Sequence, residues 1–592
     1  MCGISGIFNP STKKINQIET INKILKLQKS RGPDNTGVWT SSCGKVTFGH
    51  NRLSIIDLTN NSNQPFVSID KRIVITFNGE IYNFLEIREQ LLKKKIKFKS
   101  NSDTEVIIEA YRYWGLEFVN YFRGMYSFVI WDVLKDELIL ARDPFGIKPL
   151  YYTYQNNIFY FASQIKSILS IQNLRFNNSD AGICSYFMFG NVIDPFTIYK
   201  EIKSLEKGNV LVINKDGVKK KINFYSIKNK ILNSREASIS NENDQINYLK
   251  ETIDDTVRYH SISDVPITYL LSSGIDSNVL VASASSQQNN INSVTLDFGF
   301  TGEKNETQIA SKTSKLNNIK HSVKKMSNFD KIEGLNNFFN SMDSPTNDAL
   351  NNYLISKKIK NLTKVVISGV GADELLFGYS SFERIPKLNN FAKFIPYIKI
   401  LDNNKLYNFL NKIKIKAKIA ALFSHQKNIG DAYYLQRSVF LEKEIENFKD
   451  YFSIEKGLEE LNLRERLLKD VEGIKDTKLS VMLLEILYYL SPKLLRDSDW
   501  ATMSNSIEMR TPFVDIVFFE KILSLYKKNP NLNKKDMLKC YQNLLPRELS
   551  KRKKTGFEIP YKEFLKNNNL KFYPSIKNWT EYSYNNYKKY EN

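Results

Sequence analysis

The chain has 592 residues and a formal net charge of +22 at pH 7; 42% of its residues are hydrophobic and only four are cysteine. One core cannot serve that length, so about two to four domains are expected and most of the chain should fold. No stretch approaches the roughly 20 apolar residues of a spanning helix, no basic start leads into an apolar block, and sparse, unpaired cysteines suit a reducing compartment, which together predict a cytoplasmic protein with no membrane partner.

The positive charge admits a nucleic-acid partner. Lysine and asparagine are spread through the whole chain, however, as in KKKIKFKS and KNNNLKF, and neither an aromatic-basic repeat nor zinc-finger spacing occurs. No nucleic-acid partner is therefore expected, while a polyphosphate substrate would suit the charge.

The chain opens MCGISGIF. Removal of Met1 would leave Cys2 with its thiol and a free α-amine on one carbon. At this point a reactive thiol beside its own base and a chance residue at a terminus are both open. INQIETINKILKLQKS repeats Ile and Leu at helical spacing, and SDTEVIIEAYRYWG is a second helix behind a Ser102-Asp103 cap. RIVITFNGE, MYSFVIWD and DELILARDPFG are β-rich and end in turn residues, which predicts strands. Ser226–Asp244 is polar and predicts a linker. Beyond it the apolar strands VPITYLL, SVTLDF and KVVISG alternate with helical stretches such as KNETQIASKTSKLNN, the pattern of a parallel sheet covered by helices. From about Tyr379 onward a mostly helical region is expected. The tail WTEYSYNNYKKYEN is polar and aromatic, and partial disorder is expected there.

Two of these strands run into serine-glycine loops. In YLLSSGIDSNVLVASAS, Ser272, Ser273 and Gly274 separate a strand from a helix, an arrangement that aims N–H groups at one point and binds phosphate. Gly274 permits a tight turn and close backbone approach, and Asp276 can hold Mg²⁺ between phosphate oxygens. The spacing is not that of the usual P-loop, and a plain strand-to-helix turn fits the segment equally well. KVVISGVGADELLFGY repeats the arrangement and brings Asp373 and Glu374. Two such strand ends in one parallel sheet form a crevice where ligands bind, and Asp276 and Asp373 could share a metal there.

Taken together and in this order, the segments resemble the glutamine-dependent asparagine synthetases over nearly the whole chain. The first half is similar to a class II glutamine amidotransferase through MCGISG, RGPD (31–34), HNRLSIID (50–57), FNGEIYN (77–83), SDTEV (102–106) and RDPFGIKPLYY (142–152). The second half is similar to an ATP-pyrophosphatase domain through SSGIDS, SGVGADE, LLRDSDW, NSIEMRTPFVD and KRKKTGF (551–557). The resemblance implies a mixed α/β and α+β chain: an N-terminal-nucleophile αββα sandwich over 2–225, a linker over 226–244, and a parallel-sheet nucleotide-binding domain with a helical C-terminal part over 245–592. It implies that Cys2 attacks the amide of L-glutamine with its own α-amine as base, the reference pKa of such an amine being about 7.7–8.0. Asn78 and Gly79 would hold the oxyanion, Arg52 the glutamine carboxylate, and Glu80 and Asp103 its ammonium. Ammonia would then cross to a site where ATP activates a carboxylate as an acyl-adenylate. Leu270, Ser272, Ser273, Gly274, Asp276, Ser277, Leu296, Ser368 and Gly369 would surround ATP, Asp276 and Asp373 would hold Mg²⁺, and Lys554 would stabilise charge in the transition state. The partners implied are L-glutamine and L-aspartate or another carboxylate; the oligomeric state is left open, a homodimer being one option.

The sequence departs from the family in three places. Ser273 stands where a glycine is usual, which a backbone nest survives if its φ is negative. Val370 replaces a glutamate and cannot take a proton from incoming ammonia. In DSPTNDALNNY (343–353), Asn347 stands where arginine would grip an α-carboxylate. Aspartate is the first acceptor to expect, and another carboxylate, such as a uronic acid of a surface polysaccharide, is the second.

Overall fold

The computed structural model of the chain describes residues 2–11, 16–239, 241–299, 306–392, 428–551 and 576–591. The first half is built on two six-stranded sheets. One has the order β10-β8-β9-β1-β3-β2, from β1 (Gly3–Phe8), β2 (Asn35–Thr40), β3 (Val46–Arg52), β8 (Tyr151–Gln155), β9 (Ile158–Ala162) and β10 (Lys203–Ser204). The other has the order β12-β11-β7-β6-β5-β4, from β4 (Phe66–Val67), β5 (Ile73–Ile81), β6 (Gly124–Asp132), β7 (Glu137–Arg142), β11 (Asn209–Asn214) and β12 (Gly217–Asn223).

The pairings within both sheets are antiparallel. Strand alternation sorts the side chains into layers. Val74 and Trp131 join Ile4, Phe8 and Phe48 between the sheets. Ile73, Ile75 and Phe77 face the other way, under the helices α2 (Phe84–Lys93) and α3 (Asp103–Trp114). The opposite outer face carries α1 (Gln17–Leu27), α4 (Ile165–Leu169) and α5 (Asp180–Phe189), whose Ile21, Ile165 and Phe187 enter the main core. The result is the expected αββα sandwich.

The polar segment after Asn223 is not bare: α6 (Ile227–Leu232) forms within it, pinned by buried Ile227 and Ile231, before α7 (Glu242–His260) begins. The second half holds a five-stranded sheet of order β15-β14-β13-β16-β17, parallel throughout. Its strands are β13 (Ile267–Leu270), β14 (Asn292–Asp297), β15 (Lys320–Lys325), β16 (Val365–Ile367) and β17 (Glu508–Arg510). The strand order reverses between β13 and β16, so the crevice of an open parallel sheet falls at their carboxyl ends. From β13 the chain enters α8 (Ile275–Gln287), and from β16 it enters a short helix, Ala372–Leu375.

The described residues beyond Tyr379 are mostly helical, as expected. Among them is a continuous helical rod, Thr477–Glu485, Ile486–Leu495 and Arg496–Met503, whose middle section has the wider π winding. The expected disorder of the tail is corrected: Ile576–Glu591 is a helix. Trp579, Tyr584 and Tyr587 lie almost fully buried along one side of it, and that aromatic stripe outweighs the polar composition. Among the described residues no helix is long and apolar enough to cross a membrane.

Candidate active site

Cys2 lies at the start of β1, beside the end of β5. Its N–H donates to Asn78 Oδ1 at 3.0 Å and its carbonyl accepts from Arg31 Nε at 3.1 Å. Burial pushes the thiol pKa up, opposed by the positive amino terminus, a backbone hydrogen bond at Leu53 and the charge of Arg52. Asn78 is fully buried, and its Nδ2 has no hydrogen-bond partner among the described residues. Gly79 has φ +150°, and a Cβ there would lie 2.1 Å from the Met125 carbonyl oxygen, so only glycine fits against β6.

Arg52 is held by an oxygen cage. Its guanidinium donates to Thr59 O at 2.9 Å, Asn63 Oδ1 at 2.8 Å and Ile56 O at 3.3 Å, and also to Asp57 O. These oxygens are neutral groups, so the positive charge of Arg52 is not matched by them. Glu80 and Asp103 are buried, Glu80 near enough to act on the Cys2 thiol and Asp103 on Glu80. Burial, reinforced by Glu508, pushes the Glu80 carboxyl well above the carboxylate range, while Arg510, 3.5 Å from Glu80 Oε1, works the other way. Asp103 accepts the Ile81 N–H at 3.0 Å, yet burial raises it to about 6. His50 is no base: burial lowers its pKa to about 3, and its Nε2 lies 3.1 Å from Phe77 O.

In the second half, Leu270 ends β13 and Leu296 lies on β14, either side of the loop Ser272-Ser273-Gly274. Asn278 Nδ2 donates to Ser272 O at 3.0 Å and Gly274 O at 2.6 Å, and Ser277 Oγ accepts the Ser272 N–H at 3.0 Å. These bonds fix the loop, and α8 starts without a side-chain cap, leaving first-turn N–H groups for an anion. Ser273 is absent from the residues with positive φ, so the serine costs the nest nothing in backbone conformation. The chain bends at Gly274 with φ −82°, a conformation that does not itself demand glycine, and a Cβ there would meet only Ser272 Oγ, at 3.3 Å. Gly369 is the constrained glycine, because its Cβ would lie 2.6 Å from that of Asp276. The Ser368 N–H donates to Arg510 O at 2.9 Å, which ties this second loop to β17.

The two loops therefore meet. Asp276 Oδ2 and Asp373 Oδ1 each lie 2.7 Å from Lys534 Nζ. Despite burial, these two carboxylates hold the Lys534 ammonium above the ordinary lysine range. Two carboxylates converging on one cationic atom fit a divalent ion that takes its other ligands from phosphate oxygens. Among the described residues no group of three or more His, Cys, Asp or Glu side chains forms a metal cage. Behind the loop, Tyr379 donates to Glu374 Oε1 at 2.6 Å, and burial with the charge of Asp373 raises Glu374 to about 7. Lys554 lies outside the described residues.

Asn347 is engaged by protein neighbours on both ends of its amide. Its Nδ2 donates to Thr580 Oγ1 at 2.8 Å, its Oδ1 accepts from Lys493 Nζ at 2.5 Å, and a Cβ on Gly190 would sit 2.1 Å from its Nδ2. Several groups went unread in the sequence. Lys534 stands in NLNKKDMLK, one lysine among many. The buried network of Arg31, Asp499 and Lys148 joins residues 468 apart, at 2.8 Å and 3.5 Å, so no local spacing reports it.

Comparison with known proteins accounts for both halves. Residues 1–225 match a family described as a glutamine amidotransferase domain, and residues 248–573 match one described as asparagine synthase. Glutamine-hydrolysing asparagine synthetase 1 of Bacillus subtilis is 31% identical, over 96% of this chain and 88% of its own. Synthetase 3 of the same organism is 26% identical, over 94% and 87% respectively. A putative glutamine-hydrolysing asparagine synthetase of Mycobacterium tuberculosis is 28% identical, over 92% and 85%. On these matches, which follow the order of the two sites described above, the chain belongs to the asparagine synthase family of glutamine-hydrolysing, ATP-dependent ligases.

Proposed function

We propose that residues 2–225 release ammonia from L-glutamine and that residues 245–592, reached through 226–244, use it with ATP to amidate a carboxylate, L-aspartate first. The observation that carries the glutaminase is Asn78: one end of its amide receives the Cys2 N–H, and the other is buried with no partner among the described residues. An unspent donor beside a thiol is what a tetrahedral oxyanion requires. In this scheme Met1 is removed and the freed α-amine takes the thiol proton. Cys2 Sγ then attacks the glutamine amide, and the oxyanion rests on Asn78 Nδ2 and the Gly79 N–H. Collapse to the thioester expels ammonia, and water releases L-glutamate. Arg52, caged by neutral oxygens, supplies the charge for the substrate carboxylate. Glu80 and Asp103 receive its ammonium, which would draw their raised pKa values down.

At the second site the loops at 272–274 and 368–371 take the triphosphate. Leu270 and Leu296 flank the nucleotide, Ser277 braces the loop from within, and Lys554 answers charge in the transition state. Asp276 and Asp373 would hold Mg²⁺, which neutralises phosphate charge when bound. The acceptor carboxylate displaces pyrophosphate to form the acyl-adenylate, and ammonia displaces AMP. With aspartate the sum is ATP, L-aspartate, L-glutamine and water giving L-asparagine, L-glutamate, AMP and diphosphate.

A second acceptor is favoured by one observation. Asn347 is consumed by Thr580 and Lys493, so no cation at that position meets an α-carboxylate. A carboxylate without an amino-acid head, such as a uronic acid, needs no such grip. Incubation with ATP, Mg²⁺, glutamine and a panel of acids, followed by mass spectrometry of the amides formed, separates the two. Cys2→Ala should abolish amide formation from glutamine and leave that from free ammonia; loss of both in a folded variant would contradict two separate sites.

A further inference from the structure

The Asp276–Asp373 pair already holds a cation, and that cation belongs to the protein. Lys534 Nζ lies 2.7 Å from one oxygen of each carboxylate. The three side chains are largely shielded, with 13%, 18% and 17% of the lysine and the two aspartates exposed. The lysine is delivered by a braced loop. The Asn533 N–H donates to Asp536 Oδ2 at 3.0 Å, the Lys535 N–H donates to Asn533 Oδ1 at 3.0 Å, and Leu532 is buried. Space is also made for it, because a Cβ on Gly378 would lie 2.1 Å from Asp373 Oδ1 and 2.9 Å from Lys534 Cδ. A surface lysine drifting onto two acids needs neither the braced loop nor the glycine.

We propose that Lys534 is a resident counter-cation that occupies the divalent-metal position between Asp276 and Asp373 until the nucleotide arrives. The inference rests on the assignment of those two aspartates to the metal under the proposed function. Two cations cannot share the space between the carboxylates, so a metal ion alone must first expel the ammonium. A polyphosphate changes the balance, because it offers the displaced ammonium new anionic partners while bringing the metal its remaining oxygen ligands. Metal and nucleotide are therefore taken up together, and the carboxylate pair is never left uncompensated between turnovers.

Competition of this kind weakens apparent affinity by the fraction of molecules whose site is open. If the lysine withdraws in about one molecule in ten, its removal tightens metal binding about tenfold. The test is a titration of nucleotide-free, full-length protein with Mn²⁺, reading free ion by electron paramagnetic resonance. Lys534→Met and Lys534→Gln should both bind Mn²⁺ about tenfold more tightly than the unaltered protein. Both should also unfold at a lower temperature in chelator and recover when Mn²⁺ is added. Unchanged or weaker Mn²⁺ binding in the variant that folds overturns the proposal. Adding Asp276→Asn to either variant should erase the gain; a gain that survives places the ion elsewhere and overturns the metal assignment itself.

Discussion

Asn78 shows how much chemistry one amide can hold in place. Its oxygen is engaged and its nitrogen has no partner among the described residues, so the side chain is oriented with a donor to spare. Asn78→Ala removes the donor together with the oxygen that receives the Cys2 N–H. Glutamine hydrolysis should fall by about 10²–10³ in kcat, while amide formation from ammonia persists; equal losses in both assays would reject an oxyanion role. Two buried histidines make the fold sensitive to acid. Burial lowers His50 and His260 to about 3, and His260 is anchored by a 2.9 Å hydrogen bond between Nδ1 and Thr256 O. The unfolded chain binds protons at these histidines from about pH 6.5 downward, and the folded chain does not until near pH 3. Their contribution to stability is thus complete above that window and lost as the pH falls through it, by up to about 1.4 kcal/mol per pH unit for each histidine. Urea unfolding at pH 7 and pH 5 should show a shallower loss for His260→Gln than for the unaltered chain, and parallel losses would rule this account out. At this scale the sequence was legible where chemistry is local. Cys2 and Asn78-Gly79 stand in short motifs, whereas Lys534 is masked by a composition in which lysine and arginine number 85.

Among the elements, those with a clear period were legible. The helices α1 and α3 and the strands β5, β6, β7, β13, β14 and β16 lie where apolar spacing put them. β15, KHSVKK, was not legible, because it is a charged edge strand with no buried residue. β17 is three residues long and is a strand only because β16 pairs with it. The last helix was hidden by its polar surface and is held by tertiary contact. Trp579 Nε1 donates to Asn347 O at 3.1 Å, and Tyr186 of α5 donates to Thr580 O at 2.7 Å. Trp579→Ala should cost about 3–5 kcal/mol of unfolding free energy, read as a lower denaturant midpoint, while Trp579→Phe should keep most of it. An unchanged midpoint for the alanine variant would mean that the helix is not part of the core.

The whole molecule is bound across its middle by charge as well as by apolar surface. Arg31 pairs with Asp499 at 2.8 Å, Arg123 with Asp515 at 2.8 Å, and Arg510 approaches Glu80 at 3.5 Å, all with little exposure. One apolar cluster runs through both halves, from Phe187 and Tyr186 to Phe448 and Tyr584. A chain cut at a protease site inserted between Asn233 and Ile239 should therefore elute as one particle at physiological salt. Two soluble halves after cleavage would show the interface to be weak. None of these long-range pairs was legible in the sequence, because each joins residues that only the fold brings together.

The packing around Asn347 also sets what a substitution there would cost. The Asn347 amide already fills the space beside Gly190, so an arginine there would need more room, an acceptor other than Thr580 and a new companion for Lys493. Those neighbours come from both halves of the chain, so a single change at position 347 disturbs contacts in each. Residue 347 is thus wired into the scaffold from two sides, and exchanging it for a cation calls for several coordinated substitutions rather than one.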